Sequence, residues 1–124
     1  MESNLSFHFF APLLEVRFEP ARFRALRLHA DFEDIFRRVR RHDATRLLVL
    51  IAGRELAVAA MHFYQLGTSW QSISEGLDIP TALVFLERGG VDLDLLQVIF
   101  ENRMARVHVG RSEAVARAWL ARQR

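Results

Sequence analysis

Two hydrophobic rhythms alternate along the chain, one with period two and one near 3.6, and the switches between them mark out its elements. Leu5 to Phe10 and Leu13 to Phe18 are aromatic and branched runs. In the second, Leu14, Val16 and Phe18 alternate with Glu15 and Arg17, the pattern of a strand with one wet face. Ala11-Pro12 supplies the turn between them, because Pro has no N–H to give to a ladder. Together the two runs predict an antiparallel hairpin. The stretch 22–28 alternates as well, Phe23, Ala25 and Arg27 opposing Arg24, Leu26 and Leu28. It reads either as a third strand or as an irregular lead into the first helix.

From Asp31 the period changes. Phe32, Ile35, Phe36 and Val39 follow i, i+3, i+4, i+7 spacing, with Arg37, Arg38, Arg40 and Arg41 on the opposite face. Asp31, Glu33 and Asp34 stand at the positive end of this helix and the arginines at its negative end, as the macrodipole prefers. Leu47-Leu48-Val49-Leu50-Ile51 is apolar on both alternating faces, as a strand covered from two sides must be. A helix follows over 55–66, with Leu56, Ala59, Ala60, Phe63 and Leu66 on one side and Gly67 as its stop. A short helical piece over 68–76 carries Trp70 and Ile73.

Pro80 introduces a second buried strand, Thr81-Ala82-Leu83-Val84-Phe85-Leu86, and Gly89-Gly90 turns the chain. Asp92 is placed to cap a helix reaching about residue 103. Arg106-Val107-His108-Val109 is a short last strand. Ser112 is a natural N-cap for the final helix, whose expected inward face is Val115, Ala118 and Trp119. Strands alternating with helices after a β-rich start predict an α/β fold. The expected sheet is mixed, with parallel C-terminal strands, an antiparallel N-terminal hairpin and helices on the faces. Right-handed crossovers make the later strands parallel.

Composition narrows the class. At 124 residues, 51% of them hydrophobic, the chain suits one domain, residues 1–124, with one buried core. Cys is absent, which removes disulfides, thiolate nucleophiles and cysteine-based zinc sites together. Met1-Glu2-Ser3-Asn4 lacks the start of a signal peptide, and 47–53, the longest apolar stretch, is far too short to cross a bilayer. A cytoplasmic protein without a membrane span is expected. All 17 basic residues are Arg, yet the net charge is only +2, and an Arg-favouring genome accounts for the bias.

The carboxy-terminal part resembles a known group. The residues are Arg46-Leu47-Leu48-Val49-Leu50-Ile51, then Phe63-Tyr64-Gln65-Leu66-Gly67, then Thr81-Ala82-Leu83-Val84-Phe85. They continue in Phe100-Glu101-Asn102-Arg103 before Arg106-Val107-His108-Val109, and end in Glu113-Ala114-Val115-Ala116-Arg117-Ala118-Trp119-Leu120. This arrangement resembles small bacterial STAS-like, or SpoIIAA-like, proteins, the fold relatives of anti-sigma-factor antagonists. The resemblance implies a STAS-like α/β domain that binds a protein partner, or in some cases a small or lipid-like ligand. In the antagonist branch a Ser at the start of the helix after the central strand is phosphorylated. Here that place reads Ile51-Ala52-Gly53-Arg54-Glu55, without a hydroxyl.

Candidate chemistry is sparse. Arg54 and Glu55 follow one buried strand, Arg88 follows the next, and Arg111-Ser112 follow the last, so all five are candidate ligand or partner contacts on one strand-end rim. An anion would suit the helix start at Ser112 with Arg111 beside it, although loop charges and an ordinary cap explain the same residues. The cluster Arg37-Arg38-Val39-Arg40-Arg41-His42 could meet phosphates, but Phe32 and Phe36 fall on the buried face and a solvated helix face explains it. Nucleic acid is therefore the weakest of the partner readings.

His8, His29, His42, His62 and His108 show no HxH, HExxH or HxxxH pairing, and no metal is expected. Arg88-Gly89-Gly90-Val91 lacks the spacing of a phosphate loop. No enzyme activity and no cofactor are expected. Phe7, Phe9 and Phe10 make the first strand unusually aromatic, and as an edge it would invite pairing with another chain, so a homodimer through this strand is a further expectation. The leading reading is a non-enzymatic regulatory or protein-interaction module. A small-molecule or lipid-like ligand binder is the alternative, and a nucleic-acid accessory protein a weaker one.

Overall fold

The computed structural model describes residues 4–19, 23–52, 56–87 and 90–123, without the side chains of 56–58. The first two strands, β1 (Leu5–Phe10) and β2 (Leu13–Phe18), pair antiparallel from Leu5 opposite Phe18 to Phe10 opposite Leu13. Ala11 and Pro12 make the two-residue turn between them. Strands β3 (Arg46–Ile51), β4 (Thr81–Phe85) and β5 (Val107–Gly110) then add in parallel, each beside its predecessor. The result is an α/β fold around a five-stranded mixed sheet in the order β1-β2-β3-β4-β5.

That unbroken order decides where the helices go. Each parallel crossover moves one strand further in the same direction, so right-handed connections must all pass over the same face. Accordingly α1 (Leu28–His42), α2 (Leu56–Thr68), α3 (Trp70–Ser74) and α4 (Leu93–Asn102) share one core with Leu14, Val16, Phe18, Leu47, Val49, Ile51, Leu83 and Phe85. Among the described helices only α5 (Glu113–Arg122), which follows β5, lies on the other face, packing Ala116 and Leu120 on Leu48, Leu50, Ala82 and Val84. Helices cover both faces as the pattern predicts, but very unevenly. On the crowded face edge-to-face pairs Phe63–Phe85, Phe36–Trp70 and Trp70–Phe100 sit 5.0 to 5.1 Å apart between centroids. Each such pair adds roughly 0.5–1.5 kcal/mol beyond the area it buries.

Several local expectations shift. The segment after residue 22 is not a strand, because Ala25–Arg27 winds as a 3₁₀ turn that runs directly into α1. Helix α1 therefore starts three residues before Asp31 and leaves Asp31 buried against Asn4 rather than at a solvated end. Gly67 does not stop α2. It lies inside the helix, where a Cβ would stand 2.7 Å from Cγ2 of Ile99, so its missing side chain lets α2 and α4 approach. In α5 Trp119 packs half-buried against the sheet as expected, but the fully inward residues are Ala116 and Leu120, with Val115 and Ala118 turned to solvent. In that rotation the Arg117 guanidinium meets Glu15 of β2 at 2.8 Å and Glu113 at 2.9 Å.

Both predicted caps form. Leu95 N–H donates to Asp92 Oδ1 at 3.0 Å, and Val115 N–H donates to Ser112 Oγ at 3.1 Å. Each satisfies one of the donors a helix start leaves unpaired.

Candidate functional site

The strand-end rim comes first, because five candidate residues belong there. Arg54, Glu55 and Arg88 lie outside the described residues. Arg111 and Ser112 are both exposed at the exit of β5, and Arg111 Nη1 donates to the Glu87 carbonyl at 3.2 Å, tying that exit to the exit of β4. The Ser112 hydroxyl is occupied as the cap of α5. The helices that follow β4 and β5 leave on opposite faces of the sheet, with Arg111 and Ser112 at the point where they part.

The α1 arginines are also engaged. Arg37 meets Asp34 at 3.4 Å. Arg40 donates to the Ser74 carbonyl at 2.6 Å and stands 3.5 Å from Glu75. The Arg38 guanidinium lies over the Phe7 ring, 4.0 Å from its centroid. Three of the four arginines thus have partners within the fold.

A depression of about 240 Å³ opens at the amino ends of β4 and β5, between Trp70, Leu77, Ile79, Arg103, Met104 and Arg106. Pockets that enclose drug-sized ligands run from roughly 300 to 1,000 Å³, so this one is small for that purpose. Arg106 is held by Asp78 at 3.2 Å, and Arg103 Nε donates to the Thr68 carbonyl at 3.3 Å. Among the described residues no three His, Asp or Glu side chains converge as metal ligands. The histidines are dispersed: His29 pairs with Glu33, His42 stacks on Phe9, His108 stacks on Trp119, and His62 Nδ1 is buried without a hydrogen-bond partner among the described residues. No helix among the described residues is long and apolar enough to cross a membrane.

The sheet's two edges give the sharpest contrast in the molecule. At β5, Thr81 N–H bonds the Arg106 carbonyl at 2.9 Å, so Val107 and Val109 turn their backbone groups away from β4. The side-chain amide of Gln97 meets them there. Its Nε2 donates to the Val107 carbonyl at 2.7 Å, and its Oε1 accepts from Val109 N–H at 2.8 Å. One side chain of α4 thereby takes the place of a sixth strand.

At β1 nothing comparable is present among the described residues. Glu19 N–H donates to the Asn4 carbonyl at 2.7 Å, which makes that opposed pair a hydrogen-bonded one. Antiparallel pairs alternate, so Ser6, His8 and Phe10 also bond to β2, while Leu5, Phe7 and Phe9 direct their N–H and C=O outward. Leu5 is already engaged. The outward groups of Phe7 and Phe9 have no partner among the described residues. Phe10 at 62% and Phe9 at 38% exposure add large apolar surface to the same edge.

On the α1 side, Arg38 covers Phe7 and His42 stacks on Phe9 at 4.9 Å. On the other side α5 lies over β3, β4 and β5, with Leu13 of β2 at the margin of that cluster and Arg117 reaching Glu15 of β2. The hairpin consequently has one face buried in the main core, with Arg38 and His42 over its outer rings, and the other face largely bare. The aromatic composition of β1 already pointed to this edge, whereas Gln97 gave no signal, since a Gln in an amphipathic helix reads as solvent-facing.

No protein-family model matches this chain, and no curated protein matches it either.

Proposed function

We propose that the chain is a non-enzymatic, cytoplasmic regulatory module of STAS-like type that works by protein interaction, accepting a strand from a partner along β1. The observation that carries this reading is the unequal treatment of the two edges. An unprotected edge strand is a template for further pairing, and folded proteins ordinarily blunt it. Here Gln97 blunts β5, while β1 keeps open backbone groups at Phe7 and Phe9 beside exposed aromatic rings. Strand addition draws affinity from main-chain bonds and specificity from alternating side chains, and both are on offer. The STAS-like resemblance supports the same class of function.

Phe9→Pro is the discriminating variant, because the Phe9 N–H points away from β2 and its loss costs no bond within the sheet. Wild-type and Phe9→Pro proteins, both checked for folding by circular dichroism, are used to capture partners from extracts of the source cells. Partners held by the wild type and lost from the variant are the expected result. Equal retention by both, or retention by neither above the bare matrix, overturns the reading.

A further inference from the structure

We infer that the strand that pairs with β1 is β1 of a second copy, in one defined register. The inference rests on the edge reading above and adds the partner and its alignment. Two antiparallel copies of one strand pair so that the two residue numbers in every opposed pair have the same sum. Only outward-facing residues can form the hydrogen-bonded pairs, and of these Leu5 is taken while Phe7 and Phe9 are free among the described residues. Pairing Phe7 with Phe7 would bring Leu5 against Phe9 and leave part of the open edge without a free partner. Pairing Phe7 with Phe9 of the second copy, and Phe9 with its Phe7, uses every free group in both copies and makes four hydrogen bonds. The two-fold axis then passes between the two His8 residues, and Phe10 of each copy lies opposite Ser6 of the other.

The strand's own chemistry permits this. Leu5-Ser6-Phe7-His8-Phe9-Phe10 carries no Asp, Glu, Lys or Arg, so no obligatory like charges face each other across the axis. The exposed rings of Phe9 and Phe10 lose solvent contact on both copies at once. A self-complementary patch about a two-fold axis is the commonest way for a chain to form a closed assembly. The opposing term is Arg38, which lies on the Phe7 ring in each copy, and at physiological salt a screening length of about 8 Å blunts that repulsion. The outcome is a continuous ten-stranded sheet, twice the five of one copy, in which the bare hairpin faces adjoin and an α5 helix flanks each side.

The absence of Cys makes the register directly readable. In this alignment the two His8 residues form a non-hydrogen-bonded pair with Cα atoms about 4.5 Å apart, within disulfide reach. His8→Cys is expected to yield a covalent dimer under mild oxidation. Phe10→Cys, at a more exposed position, is the control: its two copies stand four residues apart along the strand, on the order of 13 Å, beyond reach. Light scattering after size exclusion should show a dimer of the wild type, and Phe9→Pro, which removes two of the four bonds, should dissociate roughly 30-fold more readily. A wild type that stays monomeric at high concentration while His8→Cys remains reduced overturns the self-pairing. So does cross-linking of Phe10→Cys in preference to His8→Cys. Either result is separable from failure of the edge reading, which stands or falls on whether Phe9→Pro loses captured partners.

Discussion

Gln97 stands to Val109 as a neighbouring strand would, its Oε1 accepting the Val109 N–H at 2.8 Å while its Nε2 returns a bond to Val107. A side-chain amide has the donor and acceptor of a peptide group, and here both are spent on one edge. Gln97→Ala leaves two half-buried backbone groups unpaired at a cost of about 1–3 kcal/mol. The variant is also expected to aggregate on heating, since it exposes a second open edge. Urea denaturation and turbidity during a thermal ramp check the two effects. Glu at this position keeps the acceptor and loses the donor, and is expected to fall between wild type and Ala in stability.

Gly67 and Ile99 set the spacing of α2 and α4. In an unconstrained helix interior, Gly→Ala gains roughly 0.5–1 kcal/mol from propensity. Here the added Cβ would meet Ile99 Cγ2 at 2.7 Å, and a branched carbon in a packed interface has little room to yield. Overpacking costs typically about 1–3 kcal/mol, so the clash outweighs the propensity. Gly67→Ala is expected to lower the urea midpoint, and the double variant Gly67→Ala with Ile99→Leu, which lacks the β-branch methyl Cγ2, to recover part of the loss. A single variant as stable as the wild type would show that the helices slide apart at no cost.

The elements that bury a regular pattern are legible in the sequence. β3 and β4 announce themselves because both faces of each are covered, and Asp92 and Ser112 announce α4 and α5 because a cap needs a short polar side chain at one position. The allocation of helices to faces is not legible, since it follows from the strand order, which is a long-range fact. The rotation of α5 buries Ala116 and Leu120 on β3 and β4 and brings Arg117 to Glu15 across 102 residues of chain, and no local period encodes it. The same holds for the site. The aromatic run of β1 identifies a candidate edge, but its openness matters only against the closed edge that Gln97 makes, and that pairing of a helix side chain with a strand 10 to 12 residues later has no sequence signature.

His108 on β5 stacks against Trp119 of α5 at 5.5 Å, and burial, followed by the nearby Arg122 charge, lowers its pKa below the usual 6.5. The unfolded chain therefore binds more protons than the folded one between the lowered value and 6.5. Stability contributed here is complete above that window and is lost as pH falls through it. Melting temperatures measured from about pH 7.5 down to about pH 5.5 should decline, and His108→Phe, which keeps the ring against Trp119, should flatten that decline. An identical slope in both proteins would assign the effect to other groups.

Asn4 and Asp31 form a buried polar pair between the start of β1 and the first turns of α1, with Asn4 Nδ2 donating to Asp31 Oδ2 at 2.8 Å. Burial raises the Asp31 pKa, and the Asn4 bond opposes that rise by stabilising the charged form. Above 3.8 the unfolded chain releases this proton before the folded one does, so the site's contribution to stability falls as pH rises through the raised folded value. Asn4→Ala removes the bond that, with the nearby Arg27 charge, offsets the burial. The loss expected at neutral pH is about 1.5–3 kcal/mol, the range for a hydrogen bond to a charged group. It should shrink toward acid pH, where Asp31 is protonated in the folded state and the bond matters less. Urea midpoints of wild type and Asn4→Ala at about pH 7 and about pH 4 test this. A difference independent of pH would mean that Asn4 holds β1 in place by packing alone, with the carboxylate a bystander.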